Sequence, residues 1–200
     1  LNVELPSSIT SVIGSVSIPL TSLAAAAGGS AGSSKPGIAG SVDINIFDTT
    51  THALVDNNAT VGQTGTPNSS LTVSATDTTV IKSGAGSVGI GVSGSGIAAG
   101  LDVGVISKDT RAYIGQNALV KTTGLTSITA VSSEDLLSVA ANAGIGGSGV
   151  GVAASASVEV LTTHTRAYID SGAQVTQTGG VNIDAGDTLD LVMVAGSIGF

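Results

Sequence analysis

The segment Thr110-Arg111-Ala112-Tyr113-Ile114 returns 55 residues later as Thr165-Arg166-Ala167-Tyr168-Ile169, and no other feature of the sequence restricts its fold so strongly. Laid on itself at that offset, the stretch from Val88 to Ile145 matches that from Ala143 to Phe200 without a gap, with about 26 identities in about 58 positions. An earlier copy shows as Thr51-His52-Ala53-Leu54-Val55, at an offset of 59 because extra residues fall in the Gly65–Ser70 stretch around Pro67. An insertion confined to Gly, Pro and Ser marks a loop. Further upstream, Ile38 and Val42-Asp43-Ile44-Asn45-Ile46 match Ile97 and Leu101-Asp102-Val103-Gly104-Val105, whereas residues 1–37 align poorly. The chain therefore divides into a degenerate repeat or capping segment over residues 1–37 and about three imperfect copies of a 55–59-residue unit over residues 38–200.

Within a copy the apolar residues alternate. Val150, Val152, Ala154, Ala156, Val158 and Val160 are matched by Ser95, Ile97, Ala99, Leu101, Val103 and Val105, and this period of two is a strand signal. Shorter alternations follow at Ala167/Ile169, Ala173/Val175 and Val181/Ile183/Ala185. The separators recur as well. Asn58, Asn117 and Gly172 align, as do Gly65, Gly124 and Gly179, the residue types used where a backbone needs positive φ.

A strand-and-turn unit this small cannot bury its own apolar face, but near-identical units stacked about 4.8 Å apart build one continuous core. The expected fold is therefore all-β: a β-solenoid, specifically a parallel β-helix, right-handed by the general preference of parallel crossovers. Strand and turn lengths suggest coils of about 18 to 28 residues, two or three in each period. The longest alternation, Leu137 to Leu161, has Gly146-Gly147-Ser148-Gly149 at its middle. That arrangement equally suits a hairpin, so stacked antiparallel hairpins are the structural alternative.

Composition narrows the function classes. Aromatics are 2% with no Trp, so a core must be thin layers of Val, Ile, Leu and Ala. Charged residues are 10% and the net charge is −8, a balance that repels phosphate backbones and argues against a nucleic-acid partner. With no Cys, disulfides, thiolate metal sites and Cys nucleophiles all drop out. The uncharged run between Asp135 and Glu159 is long enough to cross a bilayer, yet its glycine density and period-two spacing argue against a membrane span.

Candidate chemistry is sparse. Gly89-Ile90-Gly91 and Gly144-Ile145-Gly146-Gly147-Ser148-Gly149 carry no Gly-Lys-Ser/Thr, so they do not read as phosphate loops, and no cofactor is implied. Asp184, Asp187 and Asp190 have the best spacing for calcium, but their aligned positions are Thr129, Ser132 and Asp135, which favours a solvated turn over a metal site. A polysaccharide-cleaving β-helix needs clustered carboxylates; Asp102 aligns with Asp43 but also with Ser157, Glu159 aligns with Gly104, and no acid-base pair stands out. His52 falls in the column of Arg111 and Arg166, which reads as an exposed polar face. If Ala112 and Ile114 point inward, Arg111, Tyr113, Arg166 and Tyr168 form an outward ladder of cation and aromatic, the one candidate binding surface for sugars or a partner. The plainer alternative is that Tyr covers the edge and Arg offsets Asp109 or Asp170.

The unit of Thr-x-Ala-Tyr-Ile, then Ala-x-Val, then Val-x-Ile-x-Ala, then a Gly-rich alternating stretch ending in Val-x-Val resembles the repeats of large secreted bacterial surface proteins, the filamentous-haemagglutinin-like and leukotoxin-like exoproteins and adhesins. The resemblance covers roughly residues 38–200 and departs from the pattern in the Pro-bearing first 35. It implies an extracellular, cell-surface β-solenoid shaft serving adhesion, biofilm or filament assembly, and it transfers no catalytic residue. The expected role is thus structural, with partners among host-cell or glycan surfaces or further copies of the chain. A carbohydrate-active β-helix enzyme is the alternative from another class.

Overall fold

The computed structural model describes residues 11–30, 35–62 and 70–200. Every regular element among them is a strand: β1 (Ser11–Thr21), β2 (Ala24–Ser30), β3 (Gly37–Val55), β4 (Thr60–Val61), β5 (Leu71–Gly91), β6 (Gly96–Ile114), β7 (Leu119–Thr122), β8 (Thr126–Gly146), β9 (Gly151–Ile169), β10 (Gln174–Gln177) and β11 (Val181–Gly199). They form three sheets. Sheet A runs β1-β5-β8-β11 with β2 also on β5, sheet B runs β3-β6-β9, and sheet C runs β10-β7-β4.

All pairings among the described residues are parallel, and their register is the sequence repeat itself: Thr110 lies beside Thr165, Ile128 beside Ile183 and Val120 beside Val175. The earlier copy is in register too, with Thr51 beside Thr110 across the longer offset. Residues 11–30 lie on sheet A as an interrupted strand, Ser11 beside Thr72 and Ala24 beside Ala85. Two expectations need correction. Consecutive long strands such as β5 and β6 belong to different sheets, so the connection at 92–95 is an arch between layers and the antiparallel-hairpin alternative fails. Each 55-residue period supplies one strand to each sheet, a single tier where coils of 18 to 28 residues would have given two or three; strands of 19 to 21 residues, several times the usual length, absorb the difference.

The largest apolar cluster draws on all three sheets and includes Val55, Val61, Leu71, Val73, Ile114, Val120 and Ile128. Along the long strands toward the arches, a second cluster of Ile81, Ile106 and Leu136 packs against Leu20, Phe47 and Leu161. Beyond it the pattern inverts. In β6 the inward residues are Asp102, Gly100, Ala98 and Gly96, while Ile97, Leu101, Val103 and Val105 point outward. Each inversion sits at an apolar doublet, Ile46-Phe47, Val105-Ile106 and Val160-Leu161 in sheet B, and Val80-Ile81 and Leu136-Leu137 in sheet A. Two adjacent apolar residues occupy both faces of a strand, so the apolar parity changes without a change of backbone.

Glycine dominates the inner row near the arches because the two layers touch there. A Cβ on Gly89 would lie 2.1 Å from the carbonyl oxygen of Ile97, and one on Gly144 would lie 2.3 Å from that of Val152. At the other end, Asn58, Asn117 and Gly172 adopt φ of 58°, 55° and 72°, as their alignment predicts. Gly124 and Gly179 do not share that conformation, which belongs instead to Gly180 at φ 96°. Gly179 is required for a different reason: a Cβ there would sit 2.5 Å from the backbone of Gly124 in the next tier. Gly65 lies outside the described residues.

Candidate functional site

Because inward and outward positions alternate, Ala112 and Ile114 in the core oblige Arg111 and Tyr113 to face out, and tier stacking places Arg166 and Tyr168 beside them. The expected ladder is therefore assembled. Tyr113 and Tyr168 stack with centroids 5.0 Å apart and planes 1° from parallel, and the His52 ring meets Tyr113 edge-on at 6.4 Å. Arg111 donates from Nε to Asp109 Oδ1 at 2.6 Å and from Nη2 to Asp109 Oδ2, while Arg166 Nη2 lies 3.5 Å from the same carboxylate. Burial alone would raise the Asp109 pKa, but the Arg111 hydrogen bond and the charges of Arg111, Arg166 and His52 outweigh it and hold the carboxyl below its ordinary range. The cations are neutralised locally and the rings cover one another, so the ladder has the chemistry of a stacking column that ties tiers together.

The larger surface is one that the alternation had hidden. The outer face of sheet B carries five ranks: Ile38/Ile97/Val152, Gly40/Ala99/Ala154, Val42/Leu101/Ala156, Ile44/Val103/Val158 and Ile46/Val105/Val160. Ile38 is 64% exposed, Ile46 72% and Val152 51%, and no charged side chain interrupts the ranks. The small rank makes a shallow groove of about 260 Å³ along the stacking axis, between ridges of larger residues.

The inner side of the same strands is polar. Lys108, 2% exposed, places its Nζ 2.7 Å from Asp77 Oδ1 and 2.6 Å from Glu134 Oε1, and both carboxylates are sealed from solvent. Thr51 donates to Asp77 Oδ2 at 3.0 Å and Thr79 to Oδ1 at 3.2 Å, while Ser132 donates to Glu134 Oε1. Burial raises the Glu134 pKa, opposed by hydrogen bonds from Lys108 and Ser132 and reinforced by Asp187. Past the second apolar cluster, Asp102 accepts from Ser83 at 2.7 Å and from Ser138. Asn142 accepts from Ser87 at 2.6 Å and donates to the Ala154 carbonyl at 2.8 Å, pinning sheet A to sheet B. Sequence reading missed this row. Its signal was present: Asp77 shares the parity of Leu71, Val73 and Ile81, and Lys108 that of Ile106 and Ile114.

Asp184, Asp187 and Asp190 do not converge, since Asp187 shares the inward parity of β11 while the other two point the opposite way. No group of three His, Cys, Asp or Glu suited to a metal occurs among the described residues, and there is among them no helix long and apolar enough to cross a membrane. Comparison with protein-family profiles, with characterised proteins and with solved structures finds no match to this chain.

Proposed function

We propose that the chain is a length of β-solenoid shaft, right-handed, from an extracellular bacterial surface protein, and that its work is reach, rigidity and multivalent contact. The observation that carries this reading is the coincidence of the sequence period with the strand register in all three sheets. A chain that adds one tier per repeat lengthens by repetition alone, which is the economy of a stalk. The likeness of the repeat unit to filamentous-haemagglutinin-like and leukotoxin-like exoproteins supports the same assignment.

The shaft's contact surface is the outer face of sheet B, and its occupant is a second copy of the chain. The exposed side chains there amount to roughly 1,000 Å² per copy, beyond the 300–600 Å² of an ordinary largest patch and above the 800 Å² or so that each partner contributes to a standard interface. Two such faces share one tier spacing, so a ridge rank of one copy meets the groove of Gly40, Ala99 and Ala154 in the other at every tier. A carbohydrate-active enzyme is disfavoured because Asp77 and Glu134, the two carboxylates that Lys108 brings together, are shut away from any polysaccharide.

Sedimentation velocity across a concentration series tests the contact. The wild-type chain is expected to form dimers and larger side-by-side species, and Ile44→Lys with Val103→Lys to remain monomeric with an unchanged circular dichroism spectrum. A wild-type chain that stays monomeric at every concentration overturns the self-contact, and binding to lipid vesicles in its place assigns the face to a membrane. Electron microscopy of a many-repeat chain tests the shaft separately: a globule in place of a rod overturns it.

A further inference from the structure

We propose that Lys108 and Asp77 join in an intramolecular isopeptide bond, with Glu134 passing the proton, so that the mature chain carries a covalent bridge between β5 and β6. The three side chains come from three strands and two tiers, and of the three the repeat carries only the aspartate forward, as Asp187: the partners of Lys108 in its rank are Thr49 and Thr163, those of Asp77 are Val16, Ser132 and Asp187, and Glu134 stands beside Thr79 and Leu189. The lysine stands between two sealed carboxylates, with a third, Asp187, in the next tier beside Glu134 and an apolar cluster on either side.

The geometry has what an amide condensation requires. Nζ is 2.7 Å from Asp77 Oδ1, which brings the nitrogen to about the 3–3.5 Å contact of a near-attack arrangement with the carboxyl carbon. Thr51, Thr79 and Lys108 hold the Asp77 carboxylate from both of its oxygens, fixing the electrophile. Glu134 Oε1 is 2.6 Å from the same Nζ, positioned to receive a proton from the ammonium. Burial of Glu134 favours its protonated form, which suits a group that must hold a proton and return it.

The reaction is internally balanced. Glu134 takes one proton from the ammonium; the freed lone pair attacks Asp77 Cγ and the C–N bond forms. That proton, delivered by Glu134 to a carboxyl oxygen, and a second one leaving the nitrogen depart with the oxygen as water when the C–O bond breaks. Nothing is oxidised or reduced and no co-reactant enters. In water the equilibrium opposes such an amide, but side chains fixed at contact react with effective molarities of about 10⁵–10⁸ M, and a sealed site shuts out the water of the reverse reaction. The product also exchanges a buried ion pair, costly to desolvate, for a neutral amide.

Mass spectrometry of the purified, folded full chain under denaturing conditions tests this directly. The wild-type protein is expected to be lighter than its sequence by one water molecule, and proteolysis to yield a branched peptide linking the Asp77 and Lys108 segments. Glu134→Gln should lower the linked fraction at least tenfold, and Lys108→Arg, which keeps the charge without a competent nucleophile, should restore the full sequence mass while circular dichroism reports native strand content. A folded wild-type chain at its full mass overturns the proposal. Linkage in Glu134→Gln at the wild-type rate overturns the role of Glu134.

Discussion

Lys108 is the residue on which the interior depends most, because it is the cation that two sealed carboxylates share. Replacing it with Met leaves Asp77 and Glu134 facing each other without compensation, and loss of one member of a buried charge group costs about 3–5 kcal/mol. Measured against Lys108→Arg, which keeps the charge and forms no bridge, urea denaturation of Lys108→Met should show that loss; a difference within the scatter of ordinary surface substitutions would mean the trio is not buried as described. Glu159 gives the pH dependence. Burial first, then the nearby Asp102, raise its pKa above the ordinary 4.5, against a hydrogen bond from Ser138 that lowers it. A carboxyl whose folded pKa is raised stabilises fully below its unfolded value and loses that contribution as pH climbs through the folded one. Asp109 acts oppositely, its stabilisation disappearing only as pH falls through a value below 3.8. Between pH 7 and pH 5 the Glu159 effect is therefore expected to dominate this pair, and wild type should be more resistant to urea at pH 5 than at pH 7, by a margin that Glu159→Gln reduces. Equal margins in the two proteins would exclude Glu159 as a source. Gly104 belongs to the same account, since a Cβ there would occupy the position of the Glu159 carboxylate.

At the scale of the strand, the doublets explain both what the sequence discloses and what it hides. Period-two alternation identifies β3, β6 and β9 as strands, and the repeat aligns them, because both signals depend only on spacing. Arg111 and Tyr113 are correctly placed outside since Ala112 and Ile114 are large enough to mark the inner row. Nearer the arches the inner row is Gly, Ala, Ser and Asp, residues that read as spacers, and the outer row is Ile, Leu and Val, residues that read as core. Alternation cannot assign a side when the apolar row is the exposed one; the Val105-Ile106 doublet is the only local mark of the exchange. The exchange itself makes a sharp prediction. Ile106, 2% exposed, should cost about 2–5 kcal/mol when replaced by Ala. Val105, its immediate neighbour, should tolerate Thr within about 0.5 kcal/mol when the chain is monomeric. Thermal unfolding of the two variants at low protein concentration decides it, and equal losses would place both side chains inside.

The whole molecule is a stack in which each tier roofs the one before it, and its energetics should follow that one-dimensional order. β8 is paired on both sides, by β5 and β11, and its inner row is sealed; β11, paired only on β8, is exposed along nearly its whole length. A further period should convert β9 and β11 from outer to inner tiers. Residues 146–200 fused after Phe200 keep the 55-residue register, so that a second Gly151 segment falls beside the first and a second Val181 segment beside β11. Such a chain should gain strand content in proportion to the added length, melt at a higher temperature, and slow amide exchange across β9 and β11, with the largest gain at Ile183 and Leu191, whose inward side chains become covered. Residues 146–173 fused at the same point supply a long strand for sheet B and none for sheet A, leaving β11 as exposed as before. The half-period fusion should therefore leave exchange at Ile183 unchanged. Equal protection from the two fusions would mean that the period is not the tier, because only a tier of 55 residues distinguishes them.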